Sequence, residues 1–267
     1  MVRNSFRAIE PGGPERRSAD MRQAAAPLLL IATLAFIAST FGYALRPVAL
    51  ALEPATEFGM GMVFESENVF LDLGGQFLQP RVLTMMGLLV VTWLALGFHA
   101  IRCLLTDEGG RHDEYALLIV GLIAGATWPW LRDGHPMLGI MLCAVMLAGF
   151  LGAALSAMRL GDRIRNSGAL GFAAGWATLV TCAYFATLLQ TQLRAPMVLA
   201  AGIAILIAAL AAVNVQLRLG GTISYSVAVI WGMIGLAAGS VSVEAALATM
   251  AVLAIAVIAV ALVRVTT

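Results

Sequence analysis

The chain has 267 residues, 61% of them hydrophobic and 12% charged, with a mean hydropathy of +0.92. A soluble domain carries about twice that share of charge, so the composition belongs to the membrane class. All sixteen basic residues are arginine; the net charge is only +1 and no basic stripe stands out, which excludes nucleic acid as a partner.

Residues 1–25 are polar and contain Pro11 and Pro14, and are expected to be a disordered tail. The pair Arg16–Arg17 lacks the surroundings of a twin-arginine signal, and the apolar run that follows is long for a cleavable signal peptide, so it reads as a signal anchor. Runs of about 20 apolar residues, the length that spans a hydrocarbon core, recur at 26–46, 81–104, 115–131, 135–158, 167–190, 196–217, 221–240 and 243–263. The fold class is therefore all-α, a polytopic integral membrane helix bundle of about eight transmembrane helices across residues 26–264.

Residues 47–80 form a connection too long to be a simple turn. They carry Glu53, Glu57, Glu65, Glu67 and Asp72 and no basic residue. The acids lack regular ligand spacing, so the expectation is a solvated lid or partner-contact loop rather than a metal site. Arginine placement sets the orientation. With the N-terminus cytoplasmic, twelve arginines fall on that side and four, Arg46, Arg81, Arg132 and Arg194, on the other. The bias puts both termini in the cytoplasm and residues 47–80 outside. The lack of lysine, with abundant alanine and glycine, suits a GC-rich bacterial genome and hence a bacterial inner membrane.

The spans are nearly free of ionisable groups; His99 alone falls clearly inside one. Intramembrane charges mark proton relays and ion pathways, and their scarcity argues against a pump or an ion-coupled transporter. His112 and His135 sit in loops without a nucleophile, and hydrolase, metalloprotease and phosphate-loop motifs are all missing, so no enzymatic activity and no metal are expected. Cys103, Cys143 and Cys182 have no metal or redox spacing and read as buried thiols.

The segment "GALGFAAGWATLVTCAYFATLLQ" raises a different question, because it devotes many positions to small residues. Gly168, Gly171, Gly175, Thr178 and Cys182 are spaced 3, 4, 3 and 4 and share one helix face. In lipid, helices associate through close backbone approach and interhelical hydrogen bonds, so this is a packing face. Gly221, Ser224, Ala228, Gly232, Gly235 and Gly239 repeat the device in the seventh span, and Gly121 and Gly125 add to it in the third. Trp93, Trp176 and Trp231 fall near the middle of their spans, where an indole N–H finds no water and a buried acceptor is expected. Such residues serve either packing or the wall of an aromatic pocket.

"GWATLVTCAYFATLL" resembles a segment of the long-form tryptophan-rich sensory proteins, a membrane family related to TspO and the mitochondrial benzodiazepine receptor. Gly175, Trp176, Thr178, Thr181 and Ala183 fit its pattern; Tyr184 stands where asparagine is usual, and Ala169–Leu170 replace a proline-phenylalanine start. Further on, "ISYSVAVIWGMIGLA" is similar to that family's tyrosine-then-tryptophan helix through Tyr225, Trp231 and Gly235. The resemblance covers mainly residues 165–262. It implies a non-catalytic binding or sensory protein for a flat hydrophobic ligand such as a tetrapyrrole, with a tetrapyrrole or lipid as the bound group. Trp176 and Trp231 would stack on the ligand, with Tyr225 and Tyr184 as polar partners, while Gly171, Gly175, Gly232, Gly235 and Gly239 pack helices. The alternative is a structural or assembly subunit that contacts a membrane partner or a second copy of itself through its glycine faces. A transporter or lipid carrier is the weakest reading.

Overall fold

A computed structural model describes residues 14–46, 72–80, 82–105, 112–159, 167–219, 223–240 and 244–266. Among these residues there are nine helices and no strands: α1 (Pro14–Ala44), α2 (Leu73–Gln76), α3 (Leu83–Leu105), α4 (His112–Leu131), α5 (Pro136–Arg159), α6 (Ser167–Leu193), α7 (Met197–Leu219), α8 (Ser224–Ser240) and α9 (Ala245–Thr266). Six carry apolar stretches long enough to cross a membrane, and the shorter apolar helices Tyr115–Leu131 and Ser224–Ser240 bring the segments to the expected eight. In hydrocarbon every backbone N–H and C=O must be paired within the chain, which is why the apolar runs become helices. The molecule is a polytopic helical membrane bundle.

Two boundaries differ from the sequence reading. α1 begins at Pro14, so the second half of the tail expected to be disordered is helical. Proline suits a first helical turn because its missing N–H has no partner there in any case. Of the 47–80 connection, residues 72–80 are described and contain the one-turn helix α2; the interleaved apolar positions before it lie outside the described residues.

α6 is the axis of the bundle. Its spanning window is 83% buried, against 28–39% for the other five long spans. α2, α3, α5, α7 and α8 all pack on it. α4 and α5 form the most extensive pair, because the would-be Cβ of Gly149 lies 2.7 Å from the Cα of Gly121, so the two backbones touch. α9 lies beside both α7 and α8, which themselves meet only slightly. α6 ends without a glycine: Arg194 takes the left-handed conformation (φ 51°), and the Ala195 N–H donates back to the Leu189 carbonyl at 3.0 Å. This bond, reaching one residue further back than a Schellman pair, closes the helix just before Pro196 and α7.

Candidate functional site

The four aromatic candidates lie on α6 and α8, and each is engaged in its own packing. A Cβ on Gly175 would sit 2.6 Å from the Tyr225 carbonyl oxygen and 2.9 Å from the Ala228 Cβ; one on Gly171 would sit 2.6 Å from the Ser224 Oγ. The expected packing face is therefore an intramolecular seam between α6 and α8. Across it the Tyr225 hydroxyl pairs with the Thr178 Oγ1 at 2.9 Å, and Tyr225 is fully buried. Further along the same face of α8, a Cβ on Gly232 would collide with Leu179 of α6, and one on Gly235, turned towards α3, would meet the Met85 Sδ at 2.8 Å. Gly239 has only ordinary contact, 3.6 Å from Val82, so nothing there requires a glycine.

Trp176 is fully buried and meets Phe36 edge to face, with centroids 5.9 Å apart. Its indole N–H has no acceptor among the described residues, contrary to the sequence expectation. Thr178 and Thr181, on the same helix, donate to carbonyls one turn back, as membrane threonines commonly do. Trp231 and Trp93 do find acceptors, the Thr84 carbonyl and the Thr40 Oγ1, both at 2.9 Å. Trp231 also packs edge-on to Phe172. Tyr184 lies two turns from Trp176, towards the α4–α5 turn, where its hydroxyl donates to the Arg132 and Pro136 carbonyls at 3.2 Å. Among the described residues the four rings meet different neighbours. Trp231 serves the α3 side, Tyr225 the α6–α8 seam, Trp176 the α1 side and Tyr184 the α4–α5 turn.

Around Tyr184 the structure assembles a polar cluster that sequence reading missed. Arg132 is buried, its guanidinium lies over the Tyr184 ring at 5.6 Å, and it pairs with Asp72 from α2 and with its neighbour Asp133. Burial works to lower the Arg132 pKa, but Asp72, Tyr43 and Asp133 together more than offset it, so the net direction is up. Asp72 also accepts the Gly75 N–H and the Thr187 hydroxyl, so one carboxylate caps α2 and ties it to α6 and to the α4–α5 turn. Asp72 and Arg132 are 60 residues apart, and neither alone carries a signal beyond that of a turn residue.

The open space is elsewhere. Between α7 and α9 lies an apolar cleft of about 330 Å³, lined by Gly202, Ile205, Leu206, Ala209, Met250 and Leu253 among others. Its rim residues Leu206, Leu210, Leu253 and Val257 are each more than half exposed, so the cleft opens towards the bilayer. Behind α7 is a second space of about 20 Å³, bounded by α2, α6, α7 and α8, around which every residue is buried. No group of three or more metal-ligating side chains occurs among the described residues. Among the described residues no nucleophile, acid or base lines the cleft, and its apolar walls suit a hydrophobic molecule. No protein-family model, characterised protein or solved structure matches the chain.

Proposed function

We propose that this chain is a non-catalytic membrane protein that binds a flat hydrophobic ligand, of which a tetrapyrrole is the expected class, taking it from the bilayer into the α7–α9 cleft. On this reading it is a divergent relative of the long-form tryptophan-rich sensory proteins, set in a bacterial inner membrane with both termini cytoplasmic. The observation that supports it is the cleft itself. Its volume falls in the range of small-molecule sites, roughly 300–1,000 Å³, its walls are apolar, and its mouth faces the phase in which such a ligand dissolves. The aromatic residues of α6 and α8 then hold the scaffold rather than the ligand.

The test is a titration of the purified protein in lipid nanodiscs with protoporphyrin, following tryptophan fluorescence with the inner-filter effect corrected. Saturable quenching at one site is expected; quenching that stays linear sinks the reading. A second reading draws on the same cleft, because Gly202, Ala209 and Ala254 also offer small residues that a partner helix can approach. An assembly subunit or homodimer would then migrate above monomer size from native membranes and would lose that size with Gly202→Leu, without binding porphyrin.

A further inference from the structure

We infer that Ile205 is the partition that sets how far an apolar ligand penetrates the bundle, an inference that rests on the α7–α9 cleft being the binding site. Ile205 is the single residue that lines both the cleft and the buried space behind it. The helix explains why. Ala201, Ala204 and Ala208, spaced 3 and 4, form one stripe of α7 facing the inner space; Gly202, Leu206 and Ala209, spaced 4 and 3, form the adjacent stripe facing the cleft. Ile205 falls on the border between the stripes, and it is 5% exposed, so its side chain fills the passage rather than standing in the bilayer.

The inner space is built to stay dry and narrow. It is lined by Leu179, Cys182 and Ala183 of α6, by the α7 alanines and by Met233 and Leu236 of α8, and Leu73 and Phe77 close it on the α2 side. A volume near 20 Å³ is about that of one water, but without polar partners water has nothing to bond there. Removing the Ile205 side chain joins this space to the cleft, and an apolar molecule rather than solvent fills the enlarged site. A thin chain or a flat ring edge can follow that route around α7, whereas a partner helix lying in the cleft cannot. Ile205 is therefore a specificity-determining residue: it admits ligands that stop at α7 and turns away those that need to reach α6.

The experiment uses the full chain in nanodiscs and one probe, palmitic acid carrying a terminal diazirine, with adducts mapped by mass spectrometry and competed by unlabelled palmitate. In the wild type, competable adducts are expected on α7 and α9 between Gly202 and Leu210 and between Met250 and Val257, and none on α6. In Ile205→Ala, competable adducts should appear at Leu179, Cys182 and Ala183, rising from background to a yield comparable with that at Leu253. Ile205→Val, which disturbs the fold least, should give the same adducts at an intermediate yield. In the double variant Ile205→Ala with Ala204→Leu, which refills the passage, they should fall back to background. Competable labelling of the cleft with no α6 adducts in either truncation overturns the role of Ile205 while leaving the binding site standing. Labelling of α7 and α9 that no excess of palmitate competes marks bulk lipid contact, leaves no held chain for Ile205 to stop, and overturns the inference, while the porphyrin titration tests the site separately. Adducts appearing at Cys143, buried in the bundle and lining neither space, mark general loosening of the fold and also overturn the inference.

Discussion

The α6–α8 and α7–α9 seams use the same kinds of small residue to opposite ends. At α6–α8, Gly171 and Gly175 are met by the backbone and short side chains of α8, and the helices close until no further atom fits. At α7–α9, Gly202 faces only the tip of Met250, 3.1 Å from its would-be Cβ, and about 330 Å³ remains open beside it. At Gly171 and Gly175 the partner brings main chain or a short side chain to the glycine and the seam closes; at Gly202 it presents a long, flexible side chain and a groove remains. Stability concentrates at the first seam and binding capacity at the second.

Substituting the two glycines alike should produce the largest contrast. Gly175→Leu drives a side chain into the Tyr225 carbonyl and should exceed the usual overpacking cost of about 1–3 kcal/mol, leaving little folded protein in size-exclusion chromatography after detergent extraction. Gly202→Leu should cost about 1 kcal/mol or less in thermal unfolding, because Met250 can swing aside, while the cleft fills and binding is lost. Equal damage from both would erase the distinction between the seams.

The α2 clamp comes next. Asp72→Ala leaves the buried Arg132 without its main counter-ion and α2 without its cap. With Asp72 one-third exposed, the cost should be about 2–3 kcal/mol in chemical unfolding, below that of a fully buried pair. Because Leu73 and Phe77 then lose their tether over the inner space, the loss should be felt at α6 and not at α9. Hydrogen–deuterium exchange would localise it.

On the closed seam, Tyr225→Phe removes the bond to Thr178 and should cost about 0.5–1.5 kcal/mol, since Thr178 keeps its bond to the Ala174 carbonyl. Smallest of all, Arg194→Gly relieves the left-handed backbone at the end of α6 and should stabilise the fold by about 0.5 kcal/mol with no change in binding. A stabilisation accompanied by altered ligand affinity would mean that the α6–α7 turn sets the width of the cleft.

Much of the scaffold was legible because membrane helices announce themselves locally. Eight apolar runs became eight apolar helices within a few residues, and the 3–4 spacing of Gly171 and Gly175 marked the seam they occupy. What depends on pairing across distant segments was not legible. Gly149 becomes essential only because Gly121 stands opposite, and Asp72 finds Arg132 through α2 folding back onto the α4–α5 turn. The aromatic residues were read by their position along each helix, but their roles are set by direction around it. Trp176 meets Phe36 and Trp231 meets Phe172, neighbours that depth in the membrane alone does not specify. The cleft left no mark of its own, since Gly202, Ala209 and Ala254 look the same whether a neighbour fills them or leaves them open.

The most direct measurement is the protoporphyrin titration run side by side on wild type, Gly202→Leu and the double variant Trp176→Phe with Trp231→Phe, reading porphyrin Soret absorbance so that loss of tryptophan does not blind the assay. If the α7–α9 cleft is the site, Gly202→Leu abolishes saturable binding and the double variant, provided it folds, keeps the wild-type affinity. Binding that survives Gly202→Leu but disappears from a folded double variant would contradict the account and return the site to the aromatic residues of α6 and α8.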